Sequence, residues 1–301
     1  MMKQNIETLN EIMDREIGKN PHSREIIGAF RPVLIARNRF LAKGKLKSIP
    51  LPGFDPIRFT GGVSLVRQLR FFSPDDPWKE MVSAMTAAIK EGFPRLREDV
   101  DRLEEAGRKG KLDIYDYSRT FPGHGEDIIK LWSADIPANP QGIALLLHQL
   151  TRIVLEKRRP DAVALIGGAE WKKGYCPVCG AFPTIALIEE KITRRWLHCS
   201  QCGHDWLFSR VICPYCDHEA QEGMDFFYVE NRTQESAFSC DKCQRYLVTL
   251  NRVSDLNDHE LDVSALSLTH LDVIMQGKGF SPMVSCAWNA FEGTCPARED
   301  R

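Results

Sequence analysis

Apolar residues recur with a helical period through the first half of the chain and with a shorter, strand-like period through the second. Trp78, Met81, Val82, Met85, Ala88 and Ile89 share one helical face. The preceding Ser73-Pro74-Asp75-Asp76-Pro77 predicts a start with Asp76 as cap and Pro77 at the first position. Ile143, Leu146, Leu147, Leu150, Ile153 and Val154 predict a second amphipathic helix that ends in Lys157-Arg158-Arg159-Pro160, where cations suit the C-terminal dipole. A third helix, from about Ser23 to Leu41, contains Pro32 and is expected to kink or divide there. Residues Gly44 to Gly62 are rich in Pro and Gly and read as a long loop. Beyond about residue 170 the period changes. FPTIALI (182–188) and TRRWLHC (193–199) flank Glu189-Glu190-Lys191, and MDFFYVE (224–230) and SAFSC (236–240) flank Asn231-Arg232-Thr233, which predicts two short hairpins. Leu261 to Met275 reads as one more amphipathic helix, with Val263, Leu266, Leu271 and Ile274 making the contacts.

With 301 residues, 43% hydrophobic and 27% charged, the chain has the composition of a globular protein of about two domains. Lys and Arg total 40 against 41 acids, so there is no general surplus of positive charge to hold nucleic acid or a membrane surface. The longest apolar runs, such as GIALLL (142–147), fall far short of the roughly 20 residues of a membrane span. The start, MMKQNIETLNEIMDREIG, carries acids where a secretory signal needs an apolar stretch, so the expected location is the cytoplasm. There, cysteines serve as thiols and metal ligands rather than as a disulfide framework. All ten cysteines lie after residue 170, and the net charge moves from +4 over residues 1–170 to −5 over 171–301. Arg31, Arg37, Arg39, Lys43, Lys45 and Lys47 form a basic run, read as a solvated face or as a docking surface for an acidic partner.

Four C-x-x-C pairs follow in order: CPVC (176–179), CSQC (199–202), CPYC (213–216) and CDKC (240–243). Two residues between cysteines let a tight turn aim both sulfurs at one point, with Gly180 and Gly203 just after two of the pairs. A hairpin fills the gap within each half of the set and brings the second turn back to the first. Cys176, Cys179, Cys199 and Cys202 are therefore assigned to one metal, and Cys213, Cys216, Cys240 and Cys243 to another. Four thiolates close the coordination sphere, which fits a structural or redox site and argues against hydrolysis at the metal. The four-thiolate dianion is helped by nearby cations, of which Lys172, Lys173, Arg194, Arg195 and Arg210 are candidates. His198, His204 and His218 lie close to the pairs and are expected to be supporting or surface residues, while Cys286 and Cys295 do not fit the repeat. A phosphate loop, G-x-S-x-G and H-E-x-x-H are all absent, and His124 in FPGHGED is a lone histidine in a Gly-containing loop, so no enzyme is expected.

The ordered set GYCPVCGAFP (174–183), RWLHCSQCGHDW (195–206), RVICPYC (210–216) and CDKCQRYL (240–247), behind a cysteine-free helical half, resembles the formate dehydrogenase accessory protein family FdhE. DVSALSLTHLDVIMQGKGFSP (262–282) is similar to that family's closing helix and Gly-rich turn. The resemblance implies a cytoplasmic factor that binds the catalytic subunit of formate dehydrogenase and matures it before export. It also implies two mononuclear, rubredoxin-like four-cysteine sites holding iron, with zinc as the alternative that thiolates alone accept equally. The expected architecture is α+β: a helical domain (1–170), two four-cysteine modules of the rubredoxin or zinc-ribbon kind (171–210 and 211–252), and a short C-terminal helix with a tail (253–301). Two other functions compete. A zinc-ribbon nucleic-acid binder is disfavoured by the net acidity of 171–301, and a rubredoxin-like electron carrier leaves the helical half without a task.

Overall fold

The computed structural model describes residues 6–44, 46–111, 114–115, 118, 125–219, 222–255 and 259–290. These fall into two compact units. One holds Ile27–Trp171 with the residues before Arg15 and the tetrapeptide Pro177–Gly180; the other holds Arg15–Ile26, Lys172–Cys176 and the chain from Ala181 onward.

The first unit is helical. Its elements are α1 (Ile6–Lys19), which ends in the other unit, α2 (Arg24–Ala42), α3 (Pro56–Thr60), α4 (Trp78–Gly92), α5 (Arg97–Arg108), α6 (Gly125–Asp135) and α7 (Pro140–Ile166). Met81, Met85, Ala88 and Ile89 of α4 are buried, as are all six apolar positions of α7 that the periodicity selects. Three local expectations are corrected. Helix α2 is not divided at Pro32. The Gly44–Gly62 loop contains α3, announced by Asp55-Pro56: the Asp55 carboxylate accepts from the amides of Ile57 (2.8 Å) and Arg58 (3.2 Å), and Pro56 fills the first position. Helix α7 does not stop at its basic cluster but continues through Pro160 to Ile166.

Within that continuous helix Arg158 meets Asp76. Both are buried, and the guanidinium holds the carboxylate bidentately, Nη2 to Oδ1 at 2.5 Å and Nη1 to Oδ2 at 2.9 Å. It also donates to the carbonyls of Lys47 and Phe71. Arg158 is thus an internal tie rather than a cation at a helix end. Asp76, in turn, is no helix cap: α4 starts without a side-chain cap, and Asp76 accepts from Arg158 and from the amide of Ser73. The basic run is likewise partly internal, since Arg37 is buried at 3.6 Å from Glu156, while Arg31 pairs with the exposed Asp14 at 2.5 Å. Arg39, Lys43 and Lys47 are exposed, and Lys45 lies outside the described residues.

The second unit is built on one seven-stranded sheet: β1 (Pro183–Glu189), β2 (Arg195–Cys199), β3 (Asp205–Phe208), β4 (Met224–Val229), β5 (Arg232–Cys240), β6 (Arg245–Val253) and β7 (Ser281–Pro282). The order is β3-β2-β1-β6-β5-β4, with β7 beside β6. Each expected hairpin gains a third strand and becomes a meander. The two meanders meet along β1 and β6, which run parallel with Ile185 opposite Val248 and Leu187 opposite Leu250. Six of the seven β1 residues are buried, as a central strand covered on both faces requires.

Helices α8 (Leu261–Ser267) and α9 (Thr269–Gly277) stand where one helix was expected. Leu261, Ala265, Leu268, Leu271 and Met275 join Ile185, Leu187, Tyr246 and Val248 in the core. The interruption at Leu268 rotates the phase of the apolar stripe. Val263, Leu266 and Leu271 are buried as expected, but Ile274 is 39% exposed and Met275 takes the inward position.

Candidate metal centres

Each knuckle is made by the same backbone device. The amide of Cys176 donates to the carbonyl of Ala181 (2.9 Å), that of Cys199 to His204 (3.0 Å) and that of Cys213 to His218 (2.8 Å). Cys240 pairs with Arg245 across the β5–β6 ladder, which puts the fourth knuckle at the same five-residue interval. The turn then closes on a left-handed residue: Gly180 (φ 81°), Gly203 (φ 63°), Asp217 (φ 55°) and Gln244 (φ 53°). Glycine takes that conformation without strain, while a Cβ makes it costly. Only the two glycines were visible from sequence. Asp217 and Gln244 occupy the equivalent places without the residue type that announces them.

The device points sulfurs inward. The amides of Gln201 and Cys202 lie 3.3 and 3.4 Å from Cys199 Sγ, and those of Tyr215 and Cys216 serve Cys213 in the same way. The four Sγ atoms of Cys176, Cys179, Cys199 and Cys202 lie within 4.8 Å of one another, and so do those of Cys213, Cys216, Cys240 and Cys243. Sulfur-to-sulfur distances of 3.5 Å (Cys176–Cys202) and 3.8 Å (Cys213–Cys243 and Cys216–Cys240) match the edge of about 3.8 Å of a tetrahedron with metal–sulfur bonds of about 2.3 Å. They are far from the roughly 2.05 Å of a disulfide, and no disulfide joins the described cysteines. Both clusters could hold a metal ion, and four sulfur donors suit zinc or iron.

In the second cluster the hydrogen bond from the Cys243 thiol, with backbone amides behind it, pulls the Cys213 thiol below its usual range. That hydrogen bond and burial push Cys243 up, and burial does the same to Cys216. A set of thiols with one member already favoured as thiolate is the state from which a cation displaces the remaining protons.

The surroundings of the clusters differ. Beside Cys199, the buried His198 of β2 lies between Asp205 (2.6 Å) and Asp262 (3.4 Å). Burial opposes its imidazolium, but the two carboxylates outweigh it and raise the pKa to about 10. His204 and His218 use their backbone carbonyls to close knuckles, and no histidine joins either sulfur cluster among the described residues. Near the second cluster, Arg195 is buried, with Nη2 donating to the carbonyls of Ser209 and Ile212. Burial pulls its pKa down to about 9, Cys213 acting against that and Arg210 with it. Of the other expected cations, Arg194 is an exposed partner of Glu189 (3.0 Å) and Arg210 donates to the carbonyl of Thr193. Tyr215, inside the third knuckle, is covered by Phe182 and by the Arg245 guanidinium 4.0 Å from its ring centre. Cys286 lies apart from both clusters, and Cys295 and His124 are outside the described residues.

Comparison with known proteins places this arrangement. The family model for the FdhE central domain matches residues 175–210, which hold all of the first cluster. An FdhE homolog from Aquifex aeolicus is 24% identical over 87% of this chain and 87% of its own length. These matches support the FdhE family for this chain. Protein FdhE from Escherichia coli K12 is 27% identical, and that from Salmonella choleraesuis 33% identical, over 69% of this chain. The match spans 63% of the length of these two relatives, a little under two thirds. The crystal structure of FdhE from Pseudomonas aeruginosa shares the fold, with a TM-score of 0.58 over 94% of both chains at 17% identity. The α+β order of helical region, sheet with two four-cysteine clusters and C-terminal helices is therefore the FdhE fold. The second cluster lies beyond the region that the central-domain model covers. No described helix is long and apolar enough to cross a membrane.

Proposed function

We propose that the chain is a non-catalytic maturation factor for a respiratory formate dehydrogenase, acting in the cytoplasm on the catalytic subunit before export. The observation that carries the reading is the pair of four-cysteine clusters on one sheet in a chain whose matches support the FdhE family. In this reading Cys176, Cys179, Cys199 and Cys202 hold one iron, and Cys213, Cys216, Cys240 and Cys243 hold another, zinc being the alternative occupant. Bound iron would supply one-electron redox chemistry, and zinc only rigidity. The chain's own residues supply the thiolates, the amides that hold them, and a closed sphere with no position left for a substrate. A rigid sheet stapled at two points is a preorganised surface, which lowers the cost of binding a protein partner.

The test is anaerobic affinity capture from cells that express formate dehydrogenase, alongside a deletion strain. The reading expects recovery of the catalytic subunit, and loss of formate oxidation in the deletion strain while that subunit is still synthesised. Normal formate oxidation in membranes of the deletion strain overturns it.

A further inference from the structure

Arg195 is 2% exposed, a full cation taken out of water at the start of β2. Such a charge is expected to have a carboxylate partner. Among the described residues no acidic group lies within ion-pair distance of it, whereas its neighbour Arg194 takes Glu189. Only Nη2 is satisfied, by the carbonyls of Ser209 and Ile212, and buried Nε and Nη1 have no hydrogen-bond partner. The guanidinium carbon lies 5.2 Å from the ring centre of Phe208 and 5.5 Å from that of Phe238, so aromatic faces enclose it.

These contacts converge on one place. Ile212 immediately precedes Cys213, and Phe238 lies two residues before Cys240. The guanidinium is thus fixed at the entry of both knuckles of the second cluster. Four thiolates around a divalent ion carry a net charge of −2; Cys216 and Cys243 are half-buried, while Cys213 and Cys240 are buried, and on that side the charge has to be balanced from within the protein.

We propose that Arg195 is the internal counter-cation of the second four-cysteine centre, a positioning residue for that centre. Arg195 should therefore tighten the hold of the second centre on a divalent ion and, when iron fills it, raise the reduction potential above that of a chain without this charge. The inference rests on metal occupancy of the clusters and not on the identity of any protein partner.

The full-length chain, stripped of metal and kept anaerobic, is titrated with cobalt(II), whose thiolate charge-transfer absorption counts four-sulfur sites, and then challenged with a chelator. Wild type is expected to bind two ions. Arg195→Gln keeps a donor for the carbonyls but removes the charge, while Arg195→Lys keeps the charge on a different donor. Arg195→Gln should weaken one of the two sites by about 10–100-fold, the range seen when a supporting group of a metal site is removed, and leave the other within about threefold. That site should be the one lost in Cys213→Ser, and Arg195→Lys should restore most of the affinity. Equal weakening of both sites, full affinity in Arg195→Gln, or loss of the folded metal-loaded chain in both variants would assign the residue to packing and overturn the proposal. A wild-type chain that binds no cobalt would overturn the metal reading as well, a distinguishable result.

Discussion

Gly174 sits two residues before the first knuckle and touches the third. A Cβ built on it would stand 1.9 Å from the carbonyl oxygen of Pro214 and 2.4 Å from its Cα. Ordinary contact begins at about 3.4 Å, so Gly174→Ala asks two backbones to part by about 1.5 Å, and neither is a flexible side-chain end that can swing away. The displaced segments lead straight into Cys176 and Cys213, one from each cluster. Overpacking a core with a methylene typically costs about 1–3 kcal/mol, and a backbone-to-backbone overlap belongs at or above the top of that range. The expected outcome is a loss of about 3 kcal/mol or more in chemical denaturation of the metal-loaded protein, together with faster metal loss to a chelator. Gly107 of α5 is the control: a Cβ there meets nothing within 4 Å, and Gly107→Ala should gain about 0.5–1 kcal/mol. If Gly174→Ala matched wild type in both stability and metal retention, the contact between the approach to the first knuckle and the third knuckle would be wrong.

Asp76→Ala leaves the Arg158 guanidinium buried without its carboxylate, and thermal denaturation should register a loss of about 3–5 kcal/mol in the helical unit; a change under 1 kcal/mol would show that the pair is not buried as described. Burial pushes the Asp272 carboxyl up to about 7, with the Tyr246 hydroxyl at 2.6 Å opposing it. The native state then keeps a proton that the unfolded chain releases, so stability falls as pH rises from about 4 to about 7. Asp272→Asn should remove that slope, a relative gain of up to about 4 kcal/mol between pH 4 and pH 8 in urea titrations; parallel profiles for wild type and variant would refute the assignment. Cys176→Ser and Cys213→Ser should each lose one metal ion by elemental analysis, and Cys286→Ser none, since Cys286 lies outside both clusters; an equal loss in Cys286→Ser would make the C-terminal segment a ligand arm.

Local devices were legible in the sequence, and long-range pairings were not. The stripe from Ile143 to Val154 is buried as its spacing demands, because a helix face is decided within a dozen residues. The C-x-x-C spacing and the intervening hairpins gave the grouping of sulfurs that the structure brings together. The parallel junction of β1 with β6 joins residues some sixty positions apart through backbone bonds that leave no residue-type mark. Arg158 misled because a cation near an apparent helix end and a cation buried against Asp76 look alike until the distant partner is known. Leu268 carries no breaker signature, so the shift of phase that exposes Ile274 was hidden. Asp55-Pro56 was the opposite case, a cap signal present in the sequence but masked by the Gly and Pro around it.

Native mass spectrometry of the full-length chain purified without oxygen tests the central claim most directly, because it counts ions per molecule and reads their masses. The account predicts two ions per chain, iron in both places or zinc where oxygen has intervened, with one ion lost in Cys213→Ser and the second retained. A chain carrying no ion with all eight knuckle thiols reduced, or a single polynuclear cluster shared between the knuckles, would contradict it.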